Sequence, residues 1–313
     1  MLLGRAANGL FWVSRYIERA ENMARLVDTG LRLSITETST ASDEWRSVLS
    51  SAGVRAAFEA AHSEYSTPIV ADFLLRDLTN PSSVLSSMET ARMNARMVRT
   101  TLTREVWEAI NEAWMTFRRL LTSPVDERDL PAVLDAIKRE AALIRGTFQG
   151  TMLRNEIFEF AQLGTLIERA DNTARILDVK YFVLLPSAAW VGSVLDTTQW
   201  QTILRSVSAH RSYRWTYEGE YSPTNVADHL ILNRRMPRSL AFAYNGICAS
   251  LDALAEDYET RHPAHDMAAQ TLATLREASI ETIVDRGLHE FLRCFIRDNA
   301  RLADQIAADF RFN

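Results

Sequence analysis

Two stretches of this chain carry residue types that could do chemistry: IERAENMARLVD at residues 17–28 and IERADNTARILD at 167–178. Each places three acids and two arginines at helical spacing, Glu18, Arg19, Glu21, Arg25 and Asp28 in the first and Glu168, Arg169, Asp171, Arg175 and Asp178 in the second. An asparagine, Asn22 or Asn172, sits among them. Arginine offers a planar fork of donors suited to carboxylate or phosphate. Glu18 and Glu168 could accept a proton or hold an ammonium group. On a helix, Glu18, Glu21, Arg25 and Asp28 share one stripe, while Ile17, Ala20, Ala24 and Val27 form another. The second copy keeps both, as Glu168, Asp171, Arg175 and Asp178 and as Ile167, Ala170, Ala174 and Leu177. The pairs Glu21–Arg25 and Asp171–Arg175 have the acid on the N-terminal side, the favoured order.

Three readings of these stripes stand open. They form a solvated face, each pair contributing about 0.3–0.5 kcal/mol. They form a buried Glu–Arg network that fixes how two parts of the chain dock. Or they form together a site for a ligand or a partner. In the buried case the alanine stripes are expected to pack the two helices in a roughly antiparallel crossing. Arg25 would then face Glu168 and Arg175 would face Glu18, with Arg175→Ala more damaging than Glu168→Gln.

Secondary candidates lie elsewhere. RRMPRSL, residues 234–240, gathers Arg234, Arg235 and Arg238 about a helix start, where an anion could sit. RGLHEFL, residues 286–292, places His289 and Glu290 after Gly287, as a capped surface pair or as part of a site. His262 and His265 are three apart beside Pro263, but no Glu-x-x-His pair accompanies the acidic stripes, so no metal is expected. No glycine-rich phosphate loop, nucleophile elbow or paired CxxC occurs, and no cofactor is expected. Trp45, Trp107, Trp114 and Trp200 read as core.

The elements that must carry these residues are helices. The chain has 313 residues, 47% hydrophobic and 24% charged, with only 11 Gly and 8 Pro, and nearly every segment has a helical period. The helices are expected over 9–35, 44–62, 69–77, 82–102, 104–122, 128–149, 152–180, 196–216, 224–234, 237–259, 264–286 and 288–310. Asp43, Pro68 and Pro81 mark three of the starts. A formal charge of −5 gives no reason to expect nucleic acid. Cys248 and Cys294 make no disulfide framework, which points to the cytoplasm. The apolar run YFVLLPSAAWV at 181–191 is too short to span a bilayer and contains Pro186, so no membrane segment is expected.

The repetition extends beyond the twelve residues. EWRSVLSSAGVRAAF at 44–58 matches QWQTILRSVSAHRSY at 199–213, and IVADFLLRDLTNPSSV at 69–84 matches NVADHLILNRRMPRSL at 225–240. Three matches in the same order imply an internal duplication. The expected architecture is all-α, one helical domain over 1–313 made of two halves, about 1–150 and 151–313, with an approximate twofold relation. Residues 9–123 are expected to superpose on 159–282.

YIERAENMARLVD, TLIERADNTARILDVKYFVLLP, MPRSL and GLHEFL resemble the bacterial alpha-E family, named for an α-helical domain with Glu-Arg motifs. The resemblance covers essentially the whole chain and carries the motif onto Glu18-Arg19 and Glu168-Arg169. The family's middle motif, usually Ala-Arg-Glu-Asn-Ala-Arg, reads ARMNAR here, with Met93 in the acidic position. The resemblance implies circularly permuted ATP-grasp ligases as partners, with transglutaminase-like peptidases as further company. It thus implies a system that makes or modifies a small peptide or amide. Two roles follow: a non-catalytic partner that binds the ligase or presents its peptide, or an enzyme of the same pathway that uses the Glu/Arg face. A pocket lined by both halves would favour the enzyme; an apolar, arginine-rimmed surface would favour the partner.

Overall fold

A computed structural model describes residues 2, 4–34, 41–182, 193–218 and 221–312. The apolar run at 181–191, with Pro186, lies almost wholly outside the described residues. Within them the fold is all-helical, with fifteen α-helices and no strand. The first seven are α1 (Gly4–Ser34), α2 (Ala41–Ala52), α3 (Arg55–Ala61), α4 (Thr67–Leu75), α5 (Val84–Met97), α6 (Arg104–Leu120) and α7 (Leu130–Thr151). The remainder are α8 (Glu156–Phe182), α9 (Val194–Ser206), α10 (His210–Thr216), α11 (Pro223–Ile231), α12 (Leu240–Tyr258), α13 (Pro263–Glu277), α14 (Ile280–Arg286) and α15 (Leu288–Asp309).

Most helices are amphipathic and bury one stripe, as α6 does with Val106, Ala109, Ile110, Ala113 and Phe117. Serine and threonine caps start them: Ser83 accepts the Ser86 amide at 3.2 Å, Thr103 that of Val106 at 3.3 Å and Ser239 that of Phe242 at 3.0 Å. Pro81 therefore precedes the cap of α5 rather than opening the helix, and Asp43 falls inside the first turn of α2.

Four expected helices are in fact broken, one of them, 82–102, after Met97, where α5 ends and a short 3-10 turn over Arg99–Thr101 follows. The stretch 44–62 divides at Gly53 (φ 73°) and 196–216 divides at Ser208 (φ 57°), both left-handed positions that end α2 and α9. The stretch 264–286 divides at Ala278-Ser279, where Ser279 caps α14.

The two helices bearing the repeated motif sit at the centre. From Ile17 to Gly30 every residue of α1 is buried except the half-buried Arg19. So the polar stripe faces inward as fully as the apolar one. Helix α1 lies against α2, α4, α5, α7 and α9 as well as α8. Helix α8 lies against α2, α9, α11, α12 and α15. The α1–α8 contact differs from the expected crossing. Gly164 meets the Phe11 backbone, Arg15 meets Glu168 and Glu18 meets Arg169. These contacts advance in the same sense along both chains, so the helices run parallel. A Cβ on Gly164 would stand 2.1 Å from the Phe11 carbonyl oxygen, so the close approach needs glycine there. Ala20, Ala24, Ala170 and Ala174 are all buried.

Trp45 and Trp200 are core, whereas Trp107 and Trp114 are half-buried under arginines. Arg99 lies 5.3 Å from the Trp107 ring; Arg92 and Arg118 lie 4.1 and 4.9 Å from that of Trp114.

Candidate functional site

The Glu-Arg dipeptides pair reciprocally across the α1–α8 contact. Arg19 donates to Glu168 from Nε at 2.6 Å and from Nη2 at 3.0 Å. Arg169 donates to Glu18 from Nε at 3.1 Å and from Nη2 at 3.2 Å. Each acid therefore takes a two-point grip from the other helix. The expected partners were different: Arg25 does not meet Glu168, and Arg175 does not meet Glu18. Parallel helices place each residue beside its own counterpart, which brings Glu18 to Arg169 and leaves Arg25 and Arg175 farther along.

Those two arginines do something else. Arg25 is clasped by Glu21, at 2.8 Å from Nε and 2.6 Å from Nη2, and its Nη1 donates to the Ser206 carbonyl at 2.6 Å, in the last turn of α9. Arg175 is held by Asp171 at 2.6 Å, and its Nη1 donates to the Ser51 carbonyl at 3.1 Å, in the last turn of α2. Unsatisfied carbonyls and the negative end of the helix dipole collect there, so a guanidinium is well placed.

Sequence reasoning missed Arg15 and Arg145 and ranked Arg238 too low. Arg15 donates to Glu168 at 2.8 Å while lying 4.8 Å from the Trp12 ring. Arg238, buried at the start region of α12, bridges Glu18 at 3.1 Å and Glu21 at 2.7 Å. Arg145 on α7 reaches Glu18 at 3.1 Å and also Glu21. Its signal in the sequence was an arginine inside the apolar register of Ala141, Ile144 and Phe148. Asn22 and Asn172 are buried at the same level. The Asn22 Oδ1 and Asn172 Nδ2 atoms have no hydrogen-bond partner among the described residues, and neither has Thr173 Oγ1.

The electrostatics follow from this crowding. Burial pushes the Glu18 carboxyl upward, but Arg169, Arg238 and Arg145 overcome it and hold Glu18 far below the usual carboxylate range. For Glu168, burial is outweighed by Arg15 and Arg19, and the pKa falls to about 2. Glu21 is also lowered: burial opposes ionisation, and Arg238, Arg25 and Arg145 prevail over it. Arg238 is lowered as well, to about 10, which for a guanidinium disfavours the charged form: burial does most of this, and nearby Arg25 and Arg169 add to it. At neutral pH these carboxylates are ionised and engaged by guanidiniums, so they are poor proton acceptors there.

The network opens to one side. A cleft of about 240 Å³ between α1, α7 and α8 has Glu18, Arg145 and Arg169 in its wall. None of the secondary candidates lines the cleft, and only Arg238 joins the network behind it. Arg235 is exposed. His289 Nδ1 pairs with Asp178 Oδ1 at 2.6 Å. Asp28, at the matching place on α1, pairs instead with Lys138 at 3.2 Å and Arg32 at 2.9 Å. Glu290 is exposed and folds back over Gly287. His262 and His265 are used in capping: His265 Nδ1 lies 3.0 Å from the His262 amide. No helix among the described residues is long and apolar enough to cross a membrane.

Fold and site together define an all-helical protein whose two central helices are joined by a buried Glu-Arg network. The chain belongs to the Alpha-E family, described as a predicted alpha-helical domain with a conserved ER motif, which matches residues 2–310. Among its relatives are uncharacterized proteins of Mycobacterium bovis and Mycobacterium tuberculosis, each 24% identical over 268 residues. The match takes in 80% of this chain but only 30% of each mycobacterial protein, so the chain spans about a third of their length. No solved structure matches it.

Proposed function

We propose that this chain is a non-catalytic helical partner of a cytoplasmic ATP-grasp amide or peptide ligase system, which it serves by binding the ligase or presenting its peptide. The observation that carries this reading is the saturation of the repeated acids: Glu18, Glu21 and Glu168 are each held by two or three guanidiniums. A carboxylate so held fixes structure and does not relay protons. The lengths of the mycobacterial relatives support it too, since there the matching segment is a minor part of a longer polypeptide. A surface for docking is offered by α5 and α6, where Met93, Met97 and Met115 are exposed beside the arginine–tryptophan stacks. Met93 replaces the acid of the middle motif, which suits a contact surface better than a catalytic group. A transglutaminase-like peptidase is a further partner in the same proposal.

The proposed architecture beneath this role is one helical domain of two repeated halves, about 1–150 and 151–313, in approximate twofold relation. It is supported by the reciprocal pairs Arg19–Glu168 and Arg169–Glu18. It is supported also by the exchanged contacts of Arg25 with Ser206 and of Arg175 with Ser51, and by the left-handed residues Gly53 and Ser208 at matching places.

One observation favours the alternative, an enzyme of the same pathway: the cleft draws residues from α1 and α7 on one side and α8 on the other. Co-purification with the ATP-grasp ligase, followed by ligase turnover with and without this chain, separates the two. The partner reading expects the chain to bind the ligase and change its turnover while transforming nothing alone. Turnover of ATP or of a peptide by the purified chain would support the enzyme instead.

A further inference from the structure

The cleft between α1, α7 and α8 has more positive charge behind it than its own acids balance. Glu18 and Glu21 pair with Arg25, Arg145, Arg169 and Arg238. Two carboxylates thus meet four guanidiniums, a formal excess of two positive charges in a largely buried cluster. The lowered pKa of Arg238 reports the same crowding. A cationic excess at low exposure is costly unless an anion joins it.

Two of these arginines stand in the cleft wall with donors to spare. Arg145 gives only Nη1 to Glu18 and Glu21, and Arg169 gives Nε and Nη2 to Glu18. Among the described residues nothing accepts from Nε or Nη2 of Arg145, or from Nη1 of Arg169. The Ser14 hydroxyl, in the same wall, makes no hydrogen bond among them either. The same cleft is lined by Ile17, Ile144, Phe148 and Phe158, together with Gln149 and Gln162, which pair with one another. Its volume, about 240 Å³, falls below the roughly 300–1,000 Å³ of sites for drug-sized ligands.

We propose that this cleft binds a small carboxylate with an apolar side chain, the carboxylate on Arg145, Arg169 and Ser14 and the side chain against Phe148 and Phe158. Forked guanidinium donors match a carboxylate's two oxygens. Inorganic phosphate meets the charge but leaves the aromatic wall uncovered. A free amino acid and a peptide C terminus present the same chemistry. The inference concerns binding alone and does not depend on the ligase reading.

The test is calorimetric titration of the full chain with N-acetylphenylalanine, its neutral amide, free phenylalanine, the tripeptide Gly-Gly-Phe and inorganic phosphate. N-acetylphenylalanine should bind at least about tenfold more tightly than the amide and than phosphate. Thr165→Phe places a ring in the cleft without touching an ion pair, and should abolish binding at an unchanged melting temperature. Arg145→Lys keeps the charge, loses the fork, and should weaken binding even if Thr165→Phe fails to fold. Tighter binding of the tripeptide than of phenylalanine assigns a peptide C terminus; the reverse assigns an amino acid. Equal affinity for acid and amide, phosphate binding as tight as the acid, unaltered binding by Arg145→Lys, or no carboxylate binding tighter than about 1 mM would each overturn the proposal.

Discussion

Replacing Glu168 by glutamine removes one charge from the centre of the molecule and changes little else. The amide keeps the shape but offers one acceptor oxygen where Arg15 and Arg19 now use two, and turns a donor toward a guanidinium. Breaking a buried ion pair from one side costs about 3–5 kcal/mol. The pKa gives a second route to the magnitude. Lowering from 4.5 to about 2 corresponds to about 3 kcal/mol at about 1.4 kcal/mol per unit. At about 2.1 cal/mol/K per residue, a cooperative unit of 313 residues should then lose about 5 °C in melting temperature. The pH dependence has a definite sign. Glu168 is depressed in the folded state, so its contribution is complete above pH 4.5 and fades as pH falls toward about 2. Calorimetric melting of wild type and Glu168→Gln at pH 7 should show the full gap, and the gap should narrow below pH 4.5. A variant melting within about 1 °C of wild type at pH 7, or a gap that ignores pH, would refute the reasoning.

Arg175→Ala should cost less, about 1 kcal/mol, because the Arg175 and Asp171 side chains are 29% and 18% exposed; urea unfolding measures it. This reverses the order expected from sequence. Gly164→Ala forces a methyl group against the Phe11 carbonyl and should lower the melting temperature sharply. Gly150→Ala, with open space around its Cβ, should be neutral or stabilising by up to about 1 kcal/mol. Glu108→Gln, at an exposed pair with Arg104, should melt as wild type does.

The helices and the importance of the repeated dodecamer were legible in the sequence because both are local patterns. A 3.6-residue period marks a helix wherever it lies, and two near-identical copies expose a shared constraint. The depth of burial was not legible. Acids and arginines on one stripe look alike whether solvent or another helix covers them, and only the packing of α1 against five helices besides α8 decides it. The partners were misassigned for a related reason. Alanines suggested a seam but carry no sense of direction, and Gly164, where the two backbones come close, went unremarked in the sequence. Arg145 and Arg238 come from α7 and the α12 start region, more than a hundred residues from Glu18 or Glu21. No spacing rule connects such positions. The breaks at Gly53 and Ser208 were missed because a single left-handed residue hardly disturbs a helical period.

The central claim is that the Glu-Arg motif is a joint between α1 and α8 rather than a proton-transfer site. A double-mutant cycle on Arg19 and Glu168, with Arg19→Gln, Glu168→Gln and both together, tests it most directly. Their two-point contact should give a coupling energy of about 1–3 kcal/mol in unfolding free energy. Losses that add to within about 0.5 kcal/mol would show that the two residues do not act on one another, and would contradict the claim.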